Sequence, residues 1–124
     1  MSYIPIIAVD FDGTLCENKW PGIGAPKLDV INKLIELRKK LGVKLILWTC
    51  RTDEDLVQAV DFCNYYGLRF DAVNDHLDAM KEKFGNDPRK VCCTLYLDDK
   101  NVTLSDVPNL EEIMLNEIER HRGM

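Results

Sequence analysis

Acidic residues directly follow apolar segments at two distant points of the chain. Asp10 and Asp12, within the stretch D-F-D-G-T, come after the apolar run Ile4 to Val9, and Asp98 and Asp99 come after the run Val91 to Leu97. Carboxylates gathered in a low dielectric repel one another, and a divalent cation with hard oxygen ligands, most often magnesium, compensates for this. The pattern predicts a magnesium site if the fold brings these acids together.

Two further polar residues occupy comparable positions. Thr49 ends the apolar run Val43 to Trp48, and Lys90 lies shortly before Asp98, where it can supply a positive charge. Turns alone favour Asp, but D-x-D-G-T, a Thr, a Lys and an Asp pair, each beside an apolar run, make chance a poor explanation. The residue types indicate phosphate or metal chemistry.

The apolar runs are typical of strands that are buried on both faces of a parallel sheet. The expected strands are Ile4 to Val9, Val43 to Trp48, Phe70 to Val73 and Val91 to Leu97. The carboxyl ends of parallel strands share one edge of a sheet, so the polar residues that follow them are expected to meet there.

Helical patterns lie between and after these strands. One helix has the apolar stripe Val30, Leu34, Leu37 and Leu41 and ends at Gly42; the others cover Thr52 to Tyr66, His76 to Phe84, and Leu110 to Arg120. Alternating strands and helices predict a single domain over residues 1–124: a three-layer α/β/α sandwich with a mainly parallel, Rossmann-like sheet.

Composition excludes several classes of protein. The chain has 124 residues, 46% hydrophobic and 30% charged, with a formal net charge of -5. It can bury a core, and without a basic patch a nucleic-acid partner is not expected. There is no membrane-spanning run and no basic signal-peptide segment, so we expect a cytoplasmic protein. The 5 cysteines lack C-x-x-C spacing, which favours reduced, structural thiols.

These motifs resemble those of the haloacid dehalogenase (HAD) superfamily, in its magnesium-dependent phosphatase branch. The resemblance runs from Ile6 to Asn101, with V-D-F-D-G-T-L as the first motif, Leu47-Trp48-Thr49 as the second, Lys90 as the third, and L-Y-L-D-D, ending at Asp99, as the fourth. The first motif is highly specific, whereas a single Thr or Lys is not.

The resemblance implies a role for each matching residue. Asp10 would be the nucleophile that forms an aspartyl-phosphate, and Asp12 the general acid and base. Magnesium would be held by Asp10, the backbone carbonyl of Asp12, Asp98 and, directly or through water, Asp99. Thr49 and Lys90 would hold the transferring oxygens.

The resemblance also implies a HAD-like fold without a cap domain, since the insertions after the first motif and before Lys90 are short. Residues 17–24 would form a mobile flap over an open site. Gly13, Thr14, Arg51, Trp20 and Asn74 are weaker substrate-binding candidates. Packing is the favoured role for Trp20, and pairing with Asp53 or Asp55 is an equal alternative for Arg51.

The leading hypothesis is a magnesium-dependent phosphomonoester hydrolase that acts on a small molecule or a macromolecule, with a homo-oligomer as one way to enclose the site. The alternative is a non-catalytic or regulatory protein that uses the same fold to bind metal and phosphate. A signalling receiver domain fits poorly, because it has its acidic pair after the first strand and a lone phosphoacceptor later.

Overall fold

The computed structural model describes residues 4–74, 95–97 and 109–122. Its elements are β1 (Ile6–Val9), β2 (Cys16–Lys19), β3 (Gly22–Pro26), α1 (Leu28–Leu41), β4 (Lys44–Leu47), α2 (Asp53–Tyr65), β5 (Ala72–Val73), β6 (Leu95–Leu97) and α3 (Leu110–Arg122). The chain has a mixed α/β fold with a mainly parallel sheet and helices.

Four parallel strands form the main sheet in the order β5, β4, β1, β6. The strand β1 is central, and the chain proceeds from it to one side through β4 and β5 and returns to its other side with β6. Strand order therefore reverses beside β1, which is where open α/β sheets bind ligands.

Backbone hydrogen bonds continue past the strands at their carboxyl ends. Asp10 N–H donates to Leu97 O at 3.0 Å and Trp48 N–H donates to Val9 O at 2.8 Å. The residues after β1 and β4 thus start from the same edge of the sheet, beside Leu97 at the end of β6. This confirms the expected placement of Asp10 and of the segment that carries Thr49.

The core lies mainly on one face of this sheet. Alternate residues of β1 and β4, with Leu97, pack against buried residues of α1, α2 and α3, whereas Ile6, Ala8 and Ile46 form a smaller cluster on the other face. Burial on both faces explains the continuous apolar runs. All three described helices belong to the larger cluster, so a three-layer sandwich remains a hypothesis.

The helix α1 follows its predicted pattern. Val30, Leu34 and Leu37 are buried, and Gly42 terminates the helix with φ of 67°. The helix α2 begins one residue later than expected because Thr52 is extended and precedes it as the N-cap. No helix in the described part of the chain combines the length and apolar character that a bilayer crossing requires.

Several expectations differ from the structure or lie outside the residues that it describes. The third parallel strand is only Ala72–Val73, shorter than the expected Phe70 to Val73. Residues 17–24, expected to form a mobile flap, lie within the antiparallel β2–β3 hairpin, and their mobility stays a prediction. The expected helix His76 to Phe84, Lys90 and the first part of the last strand lie outside the described residues.

Asp71 joins α1 to the sheet. Its Oδ1 accepts a hydrogen bond from Arg38 Nη2 at 2.9 Å, and its Oδ2 accepts one from Leu45 N–H at 2.9 Å. Partial burial pushes the pKa of Asp71 upward, but the hydrogen bonds from Arg38 and Leu45 outweigh it and hold the pKa below its ordinary value. The carboxylate of Asp71 therefore stabilises the fold in its ionised form.

We expect Asp71→Asn to lower the free energy of unfolding at pH 7 by about 1 kcal/mol, since Arg38 is partly exposed and the pair is screened. The contribution of the carboxylate is present above the unfolded-state pKa of about 4 and is lost as pH falls through the lower folded pKa. Urea unfolding at pH 7 and pH 2.5 should show the difference from wild type shrinking in acid. The exposed Asp61→Asn is the control, and a pH-independent difference would contradict the expectation.

Candidate functional site

The loop after β1 folds as a compact turn that fixes the two acids of the first motif. Leu15 N–H donates to Phe11 O at 2.9 Å, and both side chains are fully buried. Asp10 Oδ1 accepts the N–H of Phe11 at 2.8 Å. Core packing of Phe11 and Leu15 therefore holds the backbone of Asp10 and Asp12 in place.

Gly13 and Thr14 complete this turn. Gly13 has φ of 84°, which L side chains rarely adopt, and its N–H donates to Cys16 O at 3.0 Å. The Thr14 side chain is buried, and its hydroxyl has no hydrogen-bond partner within the described part of the chain. Substrate contact by either residue remains a prediction.

The β2–β3 hairpin follows the turn and comes back across it. Lys27 N–H, just beyond β3, donates to Leu15 O at 2.9 Å. The two strands approach closely: a Cβ at Gly24 would lie 2.2 Å from the carbonyl oxygen of Glu17. Only glycine fits there without a backbone shift. Trp20 and Pro21, joined by a cis peptide bond, form the tip.

Arg51 connects this hairpin to the first motif. Its side chain is fully buried. Nε and Nη2 donate to the two carboxylate oxygens of Asp12 at 2.9 and 2.7 Å, Nη1 donates to Pro21 O at 3.1 Å, and Nη2 donates to Gly22 O at 2.8 Å. One guanidinium group thus bridges Asp12 and the hairpin tip.

Two aromatic rings complete the surroundings of Arg51. Its Cζ lies 4.8 Å from the centroid of the Trp20 ring and 5.1 Å from that of Phe11. The hydrogen bonds to Asp12 raise the pKa of Arg51 and outweigh the opposing effect of burial. Carboxylate, carbonyl oxygens and ring faces together compensate for burying the charge.

Thr49 is positioned by hydrogen bonds on both sides. Its Oγ1 accepts the backbone N–H of Arg51 at 3.2 Å, and its own N–H donates to Asn74 Oδ1 at 2.7 Å. Asn74, with φ of 48°, follows β5. The side chain of Asn74 therefore orients the loop after β4, and any contact with substrate stays a prediction.

The structure brings together part of the predicted site. Asp10, Asp12, Thr49 and Arg51 occupy the carboxyl edge of the sheet around β1. The other predicted residues, Lys90, Asp98 and Asp99, lie outside the described residues, although Asp98 directly follows Leu97 of β6. Within the described ranges, no group of three or more His, Cys, Asp or Glu side chains could hold a metal.

Sequence reasoning missed the partners of Arg51. It weighed a substrate anion against Asp53 or Asp55, but the guanidinium group binds Asp12, which lies 39 positions earlier. Nothing in the local sequence signals this pair. Of the described cysteines, Cys16 and Cys63 are buried and Cys50 is exposed, and burial raises the pKa of Cys63 to about 12. A buried thiol of this kind fits a structural role.

We expect Asp12→Ala to lower the free energy of unfolding by about 3 kcal/mol, because it leaves the buried guanidinium without its carboxylate. The double variant Asp12→Ala/Arg51→Met should be more stable than the sum of the single losses predicts, by more than about 1 kcal/mol, since no charge is then left unpaired. Urea unfolding of the four proteins measures this coupling energy.

The exposed pair Lys33 and Glu36, whose Nζ and Oε2 are 3.0 Å apart, provides a matched control cycle. Its coupling energy should stay below about 0.5 kcal/mol. Equal coupling energies in the two pairs would contradict the expectation that burial strengthens the interaction between Asp12 and Arg51.

Comparison with known proteins gives one informative similarity. No protein-family model and no curated protein matches the chain. A solved structure of a conserved protein from Bacteroides thetaiotaomicron is 32% identical in sequence, with a TM-score of 0.77 over 93% of each chain. The chain belongs to the same protein family as this conserved bacterial protein.

Proposed function

We propose that the protein is a magnesium-dependent phosphomonoester hydrolase with a HAD-like three-layer fold, acting through an aspartyl-phosphate on Asp10. The observation that carries this proposal is the position of Asp10 at the carboxyl end of the central strand. Its two neighbouring strands, β4 and β6, lead to Thr49 and to Asp98. The residues of the first and second motifs thus lie at the edge at which α/β sheets bind ligands.

Asp10 and Thr49 have surroundings that suit these roles. Asp10 Oδ1 is oriented by the N–H of Phe11, which holds the carboxylate for in-line attack on phosphorus. Thr49 Oγ1 accepts a hydrogen bond from Arg51 N–H, so its own proton can be donated to a phosphoryl oxygen. Lys90 would supply a second donor and a positive charge.

The oxygen donors near Asp10 suit magnesium. In the proposal the ion is held by the carboxylates of Asp10, Asp98 and Asp99 and by the backbone carbonyl of Asp12. No backbone N–H in the described ranges donates to that carbonyl, which leaves it able to bind a cation. Bound magnesium would neutralise charge between the carboxylate nucleophile and the phosphate dianion.

Asp12 would have to carry a proton when substrate is bound; it would give this proton to the leaving group and regain one from the attacking water. Both of its side-chain oxygens accept hydrogen bonds from Arg51, so one of them must leave the guanidinium group to reach the leaving oxygen. Arg51 would keep its bonds to Pro21 and Gly22 during this exchange, and the hairpin would stay in place. Arg51 is thus a positioning residue.

The same ion pair is the observation that favours the second candidate function. Because the carboxylate of Asp12 is held in an ion pair with Arg51, the protein would also suit a role as a non-catalytic or regulatory protein that binds metal and phosphate. The two functions differ in turnover and share metal binding, so hydrolysis and magnesium binding must be measured on the same preparation.

We expect the protein to hydrolyse an aryl phosphate with magnesium and to lose this activity in excess chelator. Asp10→Asn should lower kcat at least about a thousandfold, because an amide oxygen is a poor nucleophile. Asp10→Asn is a cleaner test than Asp12→Asn, which also disturbs the buried Arg51. Steady-state kinetics measure kcat for each variant, and a thermal unfolding curve checks that each variant is folded.

Asp29→Asn, an exposed acid in the first turn of α1, is the control and should retain wild-type turnover. Undiminished turnover in Asp10→Asn would refute the proposed nucleophile. Magnesium binding by calorimetry, without hydrolysis of any phosphorylated metabolite, nucleotide or peptide, would favour the binding function.

A further inference from the structure

Trp20 presents an aromatic face to solvent beside the proposed reacting groups. Trp20 is 54% exposed to solvent, whereas Arg51, on which the Trp20 ring stacks, is fully buried. The same guanidinium group that contacts the ring binds Asp12 through Nη2 at 2.7 Å. A single cation therefore separates the Trp20 ring from the first motif.

Hydrogen bonds hold the hairpin backbone on both sides of Trp20. Arg51 donates to Pro21 O at 3.1 Å and to Gly22 O at 2.8 Å. Trp20 N–H donates to Asn18 Oδ1 at 3.2 Å. The backbone that carries the indole is thus held in position, and the ring itself stacks on Arg51, which reduces the entropy lost when a ligand stacks on the ring.

Packing accounts for only part of the indole surface. Trp20 covers Arg51, and this explains the face turned toward the guanidinium group. This contact does not explain why a large aromatic residue stands at a position where more than half of its surface is exposed to water. The other exposed large apolar residues of the described chain lie on helices, namely Leu28, Val57, Tyr65 and Leu115.

Resting on the proposed hydrolase function, we propose that the exposed surface of Trp20 stacks on a flat aromatic ring in the leaving group of the substrate. Preferred substrates are then phosphomonoesters whose alcohol carries such a ring, either a phenol or a nucleoside. Stacking is tolerant of the identity of the ring, because each has a π face. Aliphatic phosphomonoesters would bind through the phosphate alone.

The test compares Trp20→Leu with wild type on phosphotyrosine, a nucleoside 5′-monophosphate and phosphoserine. Because Trp20→Leu also uncovers Arg51, it can lower turnover of every substrate alike, so the expected result is a difference: kcat/KM should fall about tenfold more for each aromatic substrate than for phosphoserine, mainly through KM. Taking the ratio of variant to wild type for each substrate removes differences in leaving-group reactivity. The two aromatic substrates distinguish a phenol from a nucleoside.

Two further variants separate stacking from structure. Trp20→Phe keeps a flat ring and should recover most of the loss, while Tyr65→Leu removes an 82% exposed aromatic at the far end of α2 and should change nothing. Competition by phenylphosphonate and methylphosphonate needs no variant, and wild type should bind the phenyl compound about tenfold more tightly.

The outcomes distinguish this inference from the proposed function. A wild-type protein inert toward all three substrates contradicts the hydrolase and the inference with it. An active wild type that loses aromatic and aliphatic turnover equally in Trp20→Leu, or binds both phosphonates equally, contradicts the inference alone.

Discussion

The buried charge of Arg51 is the constraint on which the arrangement of the site depends. A guanidinium group without access to water must find hydrogen-bond acceptors and a counter-charge within the protein. Arg51 finds them in Asp12, in the carbonyl oxygens of Pro21 and Gly22, and in the ring of Trp20. Since these partners come from separate segments, they can satisfy the charge only when the segments are assembled together.

The same constraint stabilises a small structure that follows the first motif. Between the first motif and α1 the chain forms the β2–β3 hairpin. Two short strands alone are marginally stable in water. The hydrogen bonds from Arg51 to the tip, and the close approach of Gly24 to Glu17, provide the additional contacts that hold the hairpin over the loop after β1.

The ion pair and the proposed reaction make opposite demands on Asp12. The carboxylate that compensates for the charge of Arg51 is also the group proposed to move protons during hydrolysis. An ion pair with excellent geometry orients a side chain but resists its movement. The carbonyl oxygens of the hairpin would ease this conflict, because they could still bind the guanidinium group if one oxygen of Asp12 turned away.

The amino-acid sequence by itself determined those features that depend on neighbouring residues. Continuous apolar runs predicted parallel strands, the stripe through Leu34 and Leu37 predicted α1, and Gly42 predicted its end. Shared strand ends predicted that Asp10 and Thr49 start from one edge. Only the tertiary structure decided the hairpin, the contact of Asn74 with Thr49 and the ion pair between residues 12 and 51. Periodicity reports which face of an element is buried, whereas the partner of a buried charge is chosen by chain segments that meet only after folding.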